Sequence, residues 1–169
     1  TINNGTRSPI EVGGLDFTPG IRTVVVSGRY AYIGLGLHAS AAEFSIVDIS
    51  NPVAPKVIGS LDFPVTVESV EVAGRYAYLG LSATTDDFVV VDISNPSAPV
   101  QVGALDFSIG FREQSSRVMV ASGQYVYIGL KTGTNEFRVI DVSNPAAPRE
   151  VGSLDFSTSI RGLEVAGRY

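Results

Sequence analysis

Leu-Asp-Phe occurs four times in this chain, beginning at Leu15, Leu61, Leu105 and Leu154, at intervals of 46, 44 and 49 residues. A second marker, Gly-x-Tyr, falls at Gly28, Gly74, Gly123 and Gly167, at intervals of 46, 49 and 44. Two unrelated markers with one long period mean one supersecondary unit repeated. Such a unit buries its apolar faces only against neighbouring copies of itself. The aromatic residues keep the same period. All seven tyrosines belong to the Gly-x-Tyr-x-Tyr marker and seven of the eight phenylalanines sit on repeat positions, which leaves Phe111 alone outside the pattern.

The longest shared stretch reads FVVVDISNPSAPVQVG at 88–103 and returns as FSIVDISNPVAPKVIG at 44–59 and FRVIDVSNPAAPREVG at 137–152. Each copy is an apolar run rich in Val and Ile, an Asp-x-Ser-Asn-Pro corner, a second proline and a second apolar run, which reads as strand, turn, strand. In the second unit the pattern predicts strands over 67–72, 76–81, 88–93 and 100–105. Ala-Gly at 73 and 74 suits a tight hairpin, 84–87 a looser loop, and 94–99 a rigid corner whose prolines cannot donate to a ladder. Val89-Val90-Val91 is apolar on both faces, so the sheets are expected to be sandwiched between neighbours. No helical pattern of useful length appears. The expected fold is all-β, a β-propeller built from four-stranded antiparallel blades, about three and a half of them in one segment spanning 1–169. Its parts are a partial blade at 1–17, blades at 18–63, 64–107 and 108–156, and a partial blade at 157–169. Further blades, from the rest of a longer chain or from another copy, are expected to cover the open faces.

The runs FSIVDISNP, FVVVDISNP and FRVIDVSNP, each followed by AP and then by IG or VG, with SGRYAYIGL, AGRYAYLGL and SGQYVYIGL between them, resemble the repeats called LVIVD. That resemblance implies a β-propeller and an extracellular or cell-surface location, since these repeats occur mostly in bacterial and archaeal secreted or surface proteins. It implies no activity, because the family carries no general catalytic motif to transfer residue by residue. The first copy departs from the pattern, with Asn-Gly-Thr-Arg-Ser-Pro at 4–9 where the others have Ser-Asn-Pro-x-Ala-Pro.

Composition narrows the chemistry. Net charge is −5, with ten arginines and two lysines scattered along the chain, so neither nucleic acid nor an acidic membrane is an expected partner. No apolar run approaches the roughly 20 residues that span a bilayer, so membrane insertion is not expected. The chain has no cysteine, which excludes a disulfide framework, a thiol nucleophile and thiolate metal ligation. His38 is the only histidine, so two imidazoles cannot meet at a metal within one chain, and a Ser-His-Asp arrangement would depend on a single loop residue. Residues 34–39 fit the form of a dinucleotide fingerprint, but a strand pattern follows them where that motif needs a helix. The recurring aspartates, Asp48, Asp92 and Asp141 at the corners and Asp16, Asp62, Asp106 and Asp155 in Leu-Asp-Phe, are expected to bond turn amides. Asp86 and Asp87, with Thr84 and Thr85, offer oxygens to calcium yet lack a ligand pattern like that of an EF-hand, and read as a solvated loop. Neither a metal nor a cofactor is expected.

The departures from the repeat point to a binding surface. Six residues before each glycine of the Gly-x-Tyr marker stand Arg22, Glu68, Arg117 and Arg161, near the start of the innermost strand and so near a channel mouth. These charges suit a polar or anionic ligand, or else they lock one blade to the next. The interval from Leu-Asp-Phe to the glycine is 13 residues in three units and 18 in the third, and the extra length holds Phe111, Arg112 and Glu113. The expected site is therefore Phe111, Arg112 and Glu113 with Arg22, Glu68, Arg117 and Arg161 beside them. The favoured reading is a non-catalytic module of a secreted or cell-surface protein, a scaffold that binds protein or glycan. The alternative is a hydrolase or lyase at the channel mouth, which the single histidine and the lack of a non-repeating carboxylate pair disfavour.

Overall fold

Among the described residues the strands pair into three separate four-stranded antiparallel sheets, laid down in chain order. The structure, a computed structural model, describes residues 9–82, 86–107, 118–130 and 135–166. The first sheet is β1 (Ile21–Ser27), β2 (Tyr30–Leu35), β3 (Phe44–Asp48) and β4 (Lys56–Leu61). The second is β5 (Val67–Ala73), β6 (Tyr76–Leu81), β7 (Phe88–Asp92) and β8 (Val100–Leu105), and the third is β9 (Val118–Ser122), β10 (Tyr125–Gly129), β11 (Phe137–Asp141) and β12 (Arg149–Leu154). Among the described residues there is no helix, hence none long and apolar enough to cross a membrane. The strands expected in the second unit end within one residue of those observed.

Local chemistry sets the turns. Ser27 pairs with Tyr30, Ala73 with Tyr76 and Ser122 with Tyr125, leaving two-residue hairpin loops whose first residue is Gly28, Gly74 or Gly123 at φ +60°, +60° and +59°. Only glycine takes that conformation without a steric cost. At the corners the carbonyls of Asn51, Asn95 and Asn144 accept the amides of Ala54, Ala98 and Ala147 at 3.1, 2.9 and 3.0 Å. Proline follows the asparagine each time, preset for the second position of the turn.

The sheets then stack face to face. Tyr32, Phe44 and Ile46 of the first blade are buried against Val70, Leu79 and Val91 of the second. At the same repeat positions Tyr78, Phe88 and Val90 of the second are buried against Met119, Ile128 and Ile140 of the third. Each blade thus offers an aromatic-rich face to its successor and an aliphatic face to its predecessor. The inner strands lie side by side, β5 against both β1 and β9, in the manner of propeller blades. The seam is tight where β4 and β8 pass under the next corner. A Cβ built on Gly59 would lie 2.1 Å from the Pro96 carbonyl oxygen, and one on Gly103 2.1 Å from that of Pro145. The glycine that follows Ile58 and Val102 makes this contact.

Among the described residues there are three blades and not the three and a half expected. Among the described residues, 9–20 and 155–166 enter no sheet. The reason is pairing: a fourth strand bonds only to a third and a first only to a second, so a stretch without its middle strands has a strand's sequence and no ladder. Both stretches still hold a blade's contacts. A Cβ on Gly13 would meet the Pro52 carbonyl oxygen at 2.3 Å, and the Ile160 amide donates to the Leu130 carbonyl at 2.9 Å.

The glycine contacts carry an internal control. Gly103→Ala is expected to cost about 3 kcal/mol, because the atom it meets is backbone and cannot turn aside. Gly152, at the same repeat position in the third blade, has nothing within 4 Å of a built Cβ. Gly152→Ala should therefore leave stability within about 0.5 kcal/mol of the parent in urea unfolding.

Candidate functional site

Arg22 and Glu68 stand at β-bulges. The ladder of β1 with β2 steps from Ile21–Leu35 to Thr23–Gly34, and that of β5 with β6 from Val67–Leu81 to Ser69–Gly80, so each charged residue is the extra one. A bulge bends the strand and re-aims its side chain. Arg22 is exposed and Glu68 half-buried, at equivalent points of adjacent inner strands, and Arg161 is exposed at the equivalent point beyond the third blade. Phe111, Arg112, Glu113 and Arg117 lie outside the described residues.

Among the described residues, other charges join the blades. The Ala121 amide of β9 donates to Glu71 Oε1 of β5 at 3.2 Å, while burial raises the Glu71 carboxyl pKa against the pull of that bond. Arg138 of β11 is buried, donates to Glu150 of β12 and lies over the Phe107 ring of the second blade, 5.0 Å from its centroid.

The face that carries the β2–β3 and β4–β5 loops rests on an acid that sequence reasoning missed. Glu43, Asp87 and Glu136 each precede the phenylalanine that opens a third strand, and all three are buried. Glu43 Oε2 accepts the Phe63 amide at 2.9 Å, Asp87 Oδ2 the Phe107 amide at 3.0 Å and Glu136 Oε2 the Phe156 amide at 2.9 Å. The same carboxylate reaches back along its own loop in the first blade, where Glu43 Oε1 accepts the His38 amide at 3.0 Å. Charge-assisted bonds to amides are what make a buried carboxylate tolerable. Each acid ties the loop before a third strand to the Leu-Asp-Phe loop after the fourth. Asp87 is therefore no part of a solvated loop, as its neighbours Thr84, Thr85 and Asp86 suggested. The signal in the sequence was an acid at the same offset in every unit. Next to this clamp, Thr66 Oγ1 accepts the Leu37 amide at 3.0 Å and its carbonyl accepts the Ser82 amide at 2.9 Å.

His38 Nδ1 lies 3.3 Å from Ser40 Oγ and accepts the Ser40 amide at 3.3 Å. Both Glu43 oxygens are engaged by backbone amides, so that acid does not orient the ring as the third member of a triad would. Among the described residues, no group of three or more His, Asp or Glu side chains is placed to hold a metal ion.

On the opposite face the corner aspartates bond turn amides as expected. Asp48, Asp92 and Asp141 accept through Oδ1 from the amides of Ser50, Ser94 and Ser143, each at 2.9 Å. Their other oxygen takes a guanidinium: Arg29 for Asp48, Arg75 for Asp92 and Arg149 for Asp141, the last at 2.7 Å. The third hairpin has Gln124 where the others have Arg29 and Arg75, and β12 supplies the arginine instead. Arg75 and the Ser94 donors lower the Asp92 carboxyl to about 2, and Ser143 and Arg149 lower that of Asp141 to about 2. Arg29 and Ser50 hold Asp48 below its usual range as well.

Stacked four-stranded blades joined at proline corners define a β-rich repeat protein. The LVIVD repeat profile matches residues 21–62, 66–106 and 114–156, more than half of the chain, and the chain belongs to the LVIVD-repeat family. Its fold is similar to that of the computationally designed Ika4 protein in its crystal structure, with a TM-score of 0.67 and 15% identity over 95% of this chain and 89% of that one. A crystal structure of the computationally designed Ika8 protein gives a TM-score of 0.62 at 15% identity, over 87% of this chain and 40% of that one. At such identity the likeness is one of fold alone. No curated protein matches the chain.

The corners set an acid dependence. Asp92 and Asp141 have folded pKa values below the 3.8 of a free carboxyl, so their contribution is complete above about pH 4 and is lost as pH falls through about 2. Asp92→Asn keeps an acceptor for the Ser94 amide and removes the charge that Arg75 pairs with. Urea unfolding at a series of pH values should then show a shallower loss of stability between about pH 4 and pH 2 than in the parent.

Proposed function

We propose that this chain is a non-catalytic interaction module of a secreted or cell-surface protein, which binds protein or glycan through the loops of one face and requires neither cofactor nor metal. The supporting observation is the recurring buried acid. It fixes the two families of loops on that face to each other, so residues carried there are presented from a rigid platform. The bulged Arg22 and Glu68, and Arg161, stand at equivalent points of the repeat, and in the sequence the insertion with Phe111, Arg112, Glu113 and Arg117 falls between β8 and β9. Arginine and aromatic residues are the usual energetic centres of an interface, and Phe111 is the one aromatic that the repeat does not use. Leu37, exposed on the same face, adds apolar area. The surface location rests on membership of the LVIVD family. The scattered arginines and the net charge of −5 favour neither nucleic acid nor membrane insertion.

The reading is tested with immobilised surface polysaccharides and a peptide array probed by the intact chain. Deleting residues 108–114 should abolish capture of whatever the parent binds while leaving the melting temperature within a few degrees of the parent. Retention of full affinity by that deletion would place the site elsewhere.

A further inference from the structure

A groove of about 510 Å³ runs between the second and third blades on the corner face, opposite the face that carries the β2–β3 and β4–β5 loops. One wall is the β5–β6 hairpin and the start of β6, with Arg75, Tyr76 and Tyr78. The other is the β9–β10 hairpin with Gln124 and the third corner with Val142 and Ser143. This second wall departs from the repeat twice, and each departure removes volume. Gln124 stands where the other hairpins have Arg29 and Arg75, and Val142 where the other corners have Ile49 and Ile93. The exchange at 124 is possible because Arg149 balances Asp141 from the outer strand, so the corner keeps its ion pair without a guanidinium on the hairpin. Gln124 is left exposed, with Nε2 donating to the Tyr125 hydroxyl at 2.9 Å and Oε1 meeting no donor among the described residues.

The walls are held in place from within the fold. The main-chain carbonyl of Gln124 accepts the Val142 amide at 2.9 Å, which fixes hairpin to corner on the third-blade side. On the second-blade side Asp92 holds the Arg75 guanidinium, which lies 5.4 Å from the centroid of the Tyr76 ring, and Tyr78 is buried in a stack with Phe88 at 5.9 Å. Glu71 joins the two sides by accepting the Ala121 amide at 3.2 Å, two residues before each hairpin begins its turn at Gly74 and Gly123. A groove fixed in this way is formed before a ligand enters, and its volume lies in the range of roughly 300 to 1,000 Å³ usual for small-molecule sites.

Charge and surface chemistry select the ligand. Arg75 is the one ionised side chain in the lining and Asp92 already balances it, so an anion or a cation finds no unpaired charge there. What remains outward is polar and planar: a guanidinium with donors beyond the one given to Asp92, a carboxamide, a serine, and the half-buried ring of Tyr76. Guanidinium and carboxamide groups match pairs of neighbouring hydroxyls, and an aromatic ring matches the C–H face of a pyranose. The aliphatic side chain of Val142 is buried, so the groove offers no exposed apolar anchor point of the kind a peptide side chain would fill. We propose that this groove binds a neutral saccharide, with Tyr76 packed on the sugar ring and Arg75, Gln124 and Ser143 bonding its hydroxyls. The site is separate from the loop face and does not depend on binding there.

The test is a titration of the intact ¹⁵N-labelled chain with neutral di- and trisaccharides of glucose, galactose, mannose and N-acetylglucosamine. At least one should shift the amides of Gly74 and Gly123 and the side-chain amide of Gln124, and saturate below about 10 mM. Gln124→Arg restores the residue of the other two hairpins, so the melting temperature should hold while affinity for that sugar falls about tenfold or more. Val142→Ile, which restores the residue of the other two corners, should weaken binding in the same direction. Four results would overturn the proposal. One is the absence of any such shift with every neutral sugar at about 10 mM. Another is a response at these residues to a peptide or a uronic-acid oligomer and to no neutral sugar. The third is full affinity in Gln124→Arg, and the fourth is sugar binding that survives Gln124→Arg but is lost on deleting 108–114, which would assign it to the loop face.

Discussion

A sheet with apolar side chains on both faces cannot hold water on either, and the rest of this structure depends on that constraint. Phe88 and Val90 point to one side of β7 and Val89 and Val91 to the other, and all four are buried because a blade lies on each side. No blade satisfies the condition alone. Stability in such an array is close to a sum of blade terms and seam terms between nearest neighbours. The middle blade has two seams, and the outer blades one each.

The polar motifs make close stacking possible. Gly59 and Gly103 let a neighbouring proline carbonyl approach to a distance that no side chain would allow. The corner that offers this carbonyl is shaped by an asparagine turn and by an aspartate whose charge an arginine balances. Where Gln124 removes the hairpin arginine, Arg149 takes over from a different strand, so the pairing and not the residue position is what the repeat keeps. At the other end of the strands the buried acid binds two loops together. The loop face and the corner face are thus fixed by different chemistry, and variation on one need not disturb the other.

Much of the fold could be read in the sequence because its signals are local. Alternation, Gly at the hairpins and Asn-Pro at the corners act within a few residues, and they located the strands of the second unit almost to the residue. Two features depended on partners that the sequence does not display. Ile10 to Leu15 has the composition of a strand, yet a strand exists only where a neighbour accepts its bonds. Asp87 beside Asp86 and two threonines looks solvated, and only the approach of the Phe107 amide makes it a buried clamp. The offset of Arg22 and Glu68 from the marker glycine placed them near the start of the inner strand, but their bulges arise from the register with β2 and β6. The insertion at 108–116 was visible as a change in spacing, and Phe111 as the aromatic without a repeat position.

A rigid repeat scaffold with one irregular face is a reasonable basis for recognition, since the blades supply stiffness and the loops supply identity. All of this rests on the seams being the source of stability. Residue-resolved native-state hydrogen exchange measures that most directly, because it reports the opening free energy of each strand. The slowest amides should be those of β6 and β7, Tyr76–Leu81 and Phe88–Asp92, in the blade covered on both sides. Equal or greater protection in β2 and β3, or in β10 and β11, would contradict the account.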